Sequence, residues 1–320
     1  MPSGTGLALG IDLGATAIKA GVVNRAGEIL ARASRATEPE TGPEGVAERI
    51  ARAAMSALQA AGRDLGDLDG VGVGTPGICD AGRGVVISSG NLRWKEVPLA
   101  ELLSRRLGVP VRLENDANCA AWGEQWCGAA RGCEDVILFT LGTGVGGALI
   151  LGGRVYSGAT GWAGELGHIR VAPDGPPCGC GLAGCLETFA SAAAMARAGQ
   201  EAVAAGRSPA MARLAAAQEG RVDARVVITA AREGDAAATE ILRRAGEYLG
   251  QVAAGLVSAL NPALIVVGGG GAYAGDLLLE PMRRAIAAQA LPGPADIVRV
   301  VRATLGNDAG LIGAATLVWR

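Results

Sequence analysis

Twice along the chain an apolar run enters a glycine-bearing turn and leaves it as a second apolar run: "LALGIDLGATAIKAGVVN" from Leu7 to Asn24, and "DVILFTLGTGVGGALILG" from Asp135 to Gly152. A turn that hands one strand directly to the next makes an antiparallel hairpin. This separates both segments from the Rossmann fingerprint and the P-loop, in which the glycine loop opens a helix. After the first copy, "EILARASRA" adds a third strand and completes a meander. The recurrence of one unit implies two related halves.

The intervening sequence alternates. Apolar residues recur at helical spacing from Pro43 to Ala61, "LDGVGVGTPG" reads as a short buried strand, "PLAELLSRRLG" as a helix and "VPVRLEND" as a strand. That alternation specifies an α/β layer architecture. A helix is expected from about Ala117 to Trp126, a nearly continuous Ala-rich helical layer between Glu187 and Asn261, a strand in "ALIVVGGGG", a helix in "GDLLLEPMRRAIAAQA", a strand in "DIVRVVRATL" and a last helix in "DAGLIGAATLVWR". A chain of 320 residues exceeds the usual single core. The pattern places a smaller α/β lobe at 1–116 and a larger one at 117–305.

Half the residues are apolar and 19% are charged, which suits a chain folded throughout. The net charge is −2 and no Lys/Arg block occurs, so a phosphate-backbone grip on nucleic acid has no footprint and a small-molecule partner is expected. The N-terminus lacks the charged flank and apolar core of a signal peptide, and no run of about 18 apolar residues suggests a membrane span. A cytoplasmic protein with no membrane or nucleic-acid partner is the expectation. Seven cysteines, an odd number in a long chain, favour reduced thiols, some of them recruited by metal.

Three of those cysteines, Cys178, Cys180 and Cys185, crowd into a Gly/Pro-rich loop that follows the only histidine, His168. A cysteine or histidine alone is more often a buried, satisfied core residue. Three thiols in a glycine loop do not make a core stripe. Three thiolates and one imidazole match the closed, tetrahedral donor set of structural zinc, which leaves no open position for hydrolysis. A zinc ribbon that reads nucleic acid would want paired CxxC knuckles and basic flanks, and both are missing. Cys79, Cys119, Cys127 and Cys133 are read as structural.

The turns at 12–16 and 141–147 put glycines and a threonine where backbone N–H groups and a hydroxyl can converge on phosphate oxygens. Each alone is weak, since hairpins favour glycine for steric reasons. Together with the glycine run at 268–271 they read as a nucleotide cradle. "ENDAN" (114–118) places Asp116 at a strand end and a helix start, either as an N-cap or as a base beside Asn115, whose amide could fix a hydroxyl. Glu165 and Glu187 flank the metal loop, so that closing it would draw both carboxylates and the free face of His168 together.

The motifs "GIDLGATAIKAG", "GTPG", "NLRW", "ENDANCAAWGE", "FTLGTGVGG", "GELGHIRV", "CGCGLAGCLE" and "NPALIVVGGG" occur in the order found in the ROK family of sugar kinases and repressors. The chain resembles that family from about Leu7 to Leu317, most of all its bacterial glucokinases. The resemblance implies a two-lobed, actin-like and hexokinase-like ATPase fold around an ATP and sugar cleft, with the C-terminal helix (about 306–320) rejoining the smaller lobe. It implies zinc on His168, Cys178, Cys180 and Cys185, Asp116 as catalytic base, and sugar contacts from Asn91, Asn115, Asp116, Glu165, His168 and Glu187, His168 using different ring nitrogens for metal and sugar. Asp12, Gly14, Thr16 and Lys19 match the first phosphate region, Gly142, Thr143 and Gly144 the second, and Gly269 and Gly270 the adenosine side. Ala15 and Ala17 depart from the family's GGT-Lys pattern, and an Ala15 methyl is expected to restrict the approach of phosphate.

The expected activity is ATP-dependent phosphorylation of a hexose hydroxyl, foremost glucose to glucose 6-phosphate, with Mg²⁺ accompanying ATP and structural Zn²⁺. Kinases of N-acetylmannosamine, N-acetylglucosamine, fructose or allose are alternatives. A sugar-sensing repressor would carry a helix-turn-helix ahead of the first strand, for which a start near Leu7 leaves no room, and an actin-like ATPase would not need the metal loop. A homodimer is expected by family habit.

Overall fold

The computed structural model describes residues 5–320. They divide into two compact units: residues up to Gly132 with Arg154–Gly164 and Thr304–Arg320, and Cys133–Gly153 with Glu165–Ala303. The sequence boundary at 116/117 is thereby displaced, because the helix after Asp116 packs on the C-terminal helix and stays with the first unit. At Gly313 an added Cβ would lie 1.6 Å from the Cys119 carbonyl oxygen, and at Gly123 2.3 Å from that of Ala309. Only glycines let the two helix backbones lie so close.

In chain order the first unit contains β1 (Leu7–Leu13), β2 (Ala17–Asn24), β3 (Ile29–Ala36), α1 (Gly42–Ala61), β4 (Val71–Thr75), β5 (Ile78–Asp80), β6 (Val85–Ser89), β7 (Trp94–Val97), α2 (Leu99–Leu107), β8 (Val111–Asn115) and α3 (Asp116–Cys127). Its main sheet has the order β3-β2-β1-β4-β8, antiparallel among the first three and parallel beyond. Alternation along β1 settles its two faces. Leu9, Ile11 and Leu13 join the core formed with α1 and α2, while Ala8 packs with Leu311 and Ala315. Gly10 and Gly72 have no room for a side chain, since a Cβ would fall 2.1 Å from the Leu311 oxygen and 1.9 Å from the Ala314 oxygen.

The sequence reading did not anticipate β5-β6-β7, a separate three-stranded antiparallel sheet. Its strands are three to five residues long, too short to display a periodicity.

The chain continues with β9 (Val136–Leu141), β10 (Val145–Leu151), β11 (Arg154–Val155), α4 (Glu187–Ala190), α5 (Ala192–Ala204), α6 (Pro209–Ala216), α7 (Ala224–Arg232), α8 (Ala236–Leu260), β12 (Leu264–Gly268), α9 (Asp276–Gln289), α10 (Pro292–Ile297), β13 (Arg299–Arg302) and α11 (Ala309–Thr316). The second sheet runs β11-β10-β9-β12-β13, with β10 antiparallel to β9 and β12 parallel to both β9 and β13. It repeats the strand order of the first. Ile137, Phe139, Leu141, Ile265 and Val267 face the helical layer, where Leu242, Leu249, Val257, Leu278 and Met282 complete the core. Gly246 and Gly250 let α8 rest on α9, as an added Cβ would lie 2.3 Å from the Leu278 oxygen and 2.6 Å from that of Met282. Among the described residues no helix is long and apolar enough to cross a membrane.

Candidate active site and metal centre

In the first unit, Asp116 is the first residue of α3 and Asn115 caps that helix, so the cap falls one residue before Asp116. The Asn115 Oδ1 accepts from the N–H groups of Ala117 (2.9 Å) and Asn118 (3.0 Å), and its Nδ2 donates to the Gly77 carbonyl at 2.9 Å. The oxygen is therefore committed to structure, and a hydroxyl partner is left only the second amide hydrogen. The Asp116 Oδ1 accepts from Ala117 N at 2.8 Å. Glu114 Oε1 accepts from Asn115 N (2.8 Å) and Asn118 Nδ2 (3.0 Å), steadying the junction from the strand side. Asn91 is exposed in the turn between β6 and β7. Two buried polar atoms close to it in sequence, Ser89 Oγ and Trp94 Nε1, and Thr75 Oγ1 at the end of β4, have no protein partner. Such groups are satisfied by water or by a ligand.

Asp12 and Lys19 face one another across the β1–β2 pair, with Nζ 3.1 Å from Oδ2 and 3.3 Å from the Asn307 oxygen. Gly14 closes the turn through its N–H to the Ala17 oxygen at 2.9 Å, and Thr16 is exposed at the tip. Neither Ala15 nor Ala17 has a positive φ, so these departures from glycine and lysine carry no backbone strain. Thr37, fully buried, holds the turn from behind: its hydroxyl donates to the Gly14 oxygen at 2.7 Å and its N–H to the Thr16 oxygen at 3.0 Å. Sequence reasoning missed Thr37. It also missed Glu124, 1% exposed, whose carboxylate accepts from Ala129 N (2.7 Å), Thr304 N and Oγ1 (both 3.2 Å) and Leu305 N (2.8 Å).

The second unit brings the other glycine turns together. Gly142 N donates to the Gly144 oxygen at 3.0 Å between β9 and β10, leaving Thr143 exposed. Gly269 follows β12 with φ 77°, and a Cβ there would lie 2.6 Å from the Leu141 oxygen. Gly270 continues the turn.

The loop after His168 folds on itself through Gly184 N to the Pro176 oxygen (2.8 Å), Cys178 N to the Leu182 oxygen (2.7 Å) and Val171 N to the Gly184 oxygen (2.8 Å). Gly184 has φ 71° and a Cβ there would lie 1.5 Å from the Ala172 oxygen, which makes glycine obligatory. One ligand atom from each of His168, Cys178, Cys180 and Cys185 lies within 4.8 Å of the others. His168 Nδ1 is 3.6 Å from Cys178 Sγ, and Cys180 Sγ is 3.6 Å from Cys185 Sγ. Tetrahedral zinc with bonds of about 2.3 Å to sulfur and about 2.0 Å to nitrogen requires ligand separations of roughly 3.5 to 3.8 Å, so these two separations match a zinc site. Burial and the neighbouring thiols push the Cys185 thiol up to about 12, and burial also raises Cys178, whereas the Leu182 backbone lowers the exposed Cys180. A metal would ionise all three.

The other imidazole nitrogen, Nε2, lies 3.9 Å from Glu165 Oε2. Burial raises the Glu165 carboxyl above the usual range, and the Glu187 charge adds to this against the opposing effect of His168. Glu187 begins α4. Its Oε2 accepts from Val145 N at 3.0 Å, and its Oε1 lies 3.8 Å from Cys178 Sγ.

Two α/β units on sheets of one topology, each with a glycine turn between antiparallel strands, form the hexokinase-like ATPase fold of sugar kinases. The chain belongs to the ROK family, whose model matches residues 8–320. It is 41% identical to a glucokinase of Halalkalibacterium halodurans over 97% of this chain and 94% of that one. An N-acetyl-D-glucosamine kinase of Photobacterium profundum is 33% identical over 96% and 98% of the two chains. The crystal structure of a ROK family glucokinase from Streptomyces griseus in complex with glucose and AMPPNP matches with a TM-score of 0.83 at 39% identity, covering 98% of this chain and 99% of that one.

Proposed function

We propose that the protein transfers the γ-phosphoryl group of ATP to glucose, forming glucose 6-phosphate and ADP. The observation that carries the reading is the near full-length similarity to glucokinases at 38–41% identity, across both units. N-acetylglucosamine stands as the second acceptor, because a kinase of that sugar is similar over nearly the same span.

Asp116 is the general base in this reading. It accepts the proton of the 6-hydroxyl as that oxygen bonds to the γ-phosphorus and the bond to the β-phosphate oxygen breaks. The cap made by Asn115 fixes where Asp116 begins its helix. Asn91, the remaining amide hydrogen of Asn115, Glu165, His168 Nε2 and Glu187 are assigned to sugar hydroxyls. The Asp12–Thr16 turn with Lys19, the Gly142–Gly144 turn and Gly269–Gly270 are assigned to ATP, whose phosphates arrive with Mg²⁺. His168 Nδ1, Cys178, Cys180 and Cys185 would hold zinc. With four protein ligands such an ion supplies shape and charge and no open coordination position. A cytoplasmic homodimer completes the reading.

The test is a coupled ADP-release screen over hexoses, N-acetylhexosamines and phosphoryl donors, with metal content measured on the same sample. Glucose and ATP are expected to give the highest kcat/KM, with about one zinc per chain. Higher kcat/KM with N-acetylglucosamine would move the assignment to the second acceptor. Sugar binding without ADP release would mark a regulator instead.

A further inference from the structure

The turn at Gly142–Val145, assigned above to ATP phosphates, is held at three points by segments bordering the metal loop. Ala192 N donates to the Gly142 oxygen at 2.9 Å. Glu187 Oε2 accepts from Val145 N at 3.0 Å. Gly167, next to His168, packs so tightly that a Cβ would lie 2.0 Å from the Val145 oxygen.

Glu187 is the side chain among these anchors, and it follows Cys185 by two residues. One carboxylate oxygen binds the turn, and the other lies 3.8 Å from Cys178 Sγ. Gly144 leaves it the space, since a Cβ there would fall 2.1 Å from Glu187 Oε2. The glycine thus serves a carboxylate approach as well as phosphate access. Glu187 opens α4 two residues after Cys185, so closing the cluster fixes where its half-buried carboxylate meets Val145 N, and losing that N–H leaves the charge poorly solvated.

From this we infer that Glu187 is a positioning residue through which the His168/Cys178/Cys180/Cys185 centre sets the geometry of the nucleotide turn. Metal occupancy then governs affinity for the phosphoryl donor, in addition to any role Glu187 has toward sugar. The inference rests on the assignment of Gly142–Gly144 to ATP.

The test is calorimetric titration of Mg²⁺ with the non-hydrolysable analogue AMPPNP, without sugar, into wild type, Glu187→Ala and Glu187→Gln, each zinc-loaded and chelator-stripped. Stripping wild type is expected to weaken binding by about tenfold, and loaded Glu187→Ala to show a similar loss, in the usual range of site-to-site coupling. Stripping Glu187→Ala should add little, because the link is already cut. The amide oxygen of Glu187→Gln can still accept from Val145 N, so that variant should recover most of the affinity. Equal nucleotide affinity in loaded wild type and loaded Glu187→Ala overturns the inference, as does a stripping penalty as large in Glu187→Ala as in wild type. If stripped protein is unfolded by circular dichroism, the loaded variants decide alone. Failure of loaded wild type to bind AMPPNP at all would overturn the ATP assignment and the coupling built on it.

Discussion

The Asn115 amide donates to the Gly77 carbonyl at 2.9 Å while its oxygen caps α3, so a single side chain ties the turn between β4 and β5 to the helix that starts at Asp116. Asn115→Ala should lower stability by about 1–2 kcal/mol through loss of the cap, and kcat should fall with it. Asp116→Ala keeps the cap. It should stay folded, bind sugar, and lose about 10²–10⁴ in kcat. Denaturant unfolding and steady-state kinetics on the two variants check this split, and near-normal kcat in Asp116→Ala would remove it from the base's role.

Cys180 is the exposed member of the His168/Cys178/Cys180/Cys185 cluster proposed to hold zinc, so Cys180→Ser disturbs packing least. Loss of zinc and a fall in glucose affinity are expected together, measured by elemental analysis and equilibrium binding. Unchanged glucose affinity in metal-free Cys180→Ser would separate the metal from the sugar site.

Glu124 buries a carboxylate that receives four hydrogen bonds, from the segment after α3 and from Thr304–Leu305. Glu124→Gln keeps the shape but turns one acceptor into a donor facing N–H groups. A loss of about 3 kcal/mol is expected, as for other broken buried polar networks. Chemical denaturation measures it, and a loss under about 1 kcal/mol would mean the contacts are replaceable.

Burial acts to raise the Asp69 carboxyl, but hydrogen bonds from Trp319 Nε1 (2.9 Å), Thr5 N (2.7 Å) and Oγ1 (3.2 Å), and Gly6 N (3.2 Å) outweigh it and hold Asp69 below the usual range. A depressed folded value adds stability above the unfolded carboxyl value of about 3.9 and loses it as pH falls through the lower folded value. Asp69→Asn should therefore lower Tm at pH 7, with the gap to wild type closing below about pH 4. A gap independent of pH would assign the effect to shape instead of charge.

The two hairpin units and the metal cluster were legible because their signals are local: glycines between apolar runs, and three cysteines beside one histidine. The same locality brought Asp116 and both glycine turns forward as candidates. Thr37, Glu124 and the Val145 contact of Glu187 were not legible, since each acts on residues distant in sequence and nothing in its own neighbourhood marks the partner. The β5–β7 sheet was missed for want of length, and the unit boundary because the Gly123 and Gly313 contacts that hold α3 to α11 join residues far apart.

In the proposed reaction ATP phosphorylates the 6-hydroxyl of glucose with Asp116 as base. Phosphorus NMR on a reaction of ATP, Mg²⁺ and glucose tests it most directly. Glucose 6-phosphate should accumulate in equal amount with ADP and fail to appear with Asp116→Ala. Release of inorganic phosphate in place of the sugar ester, or no consumption of ATP by zinc-loaded protein, would contradict the account.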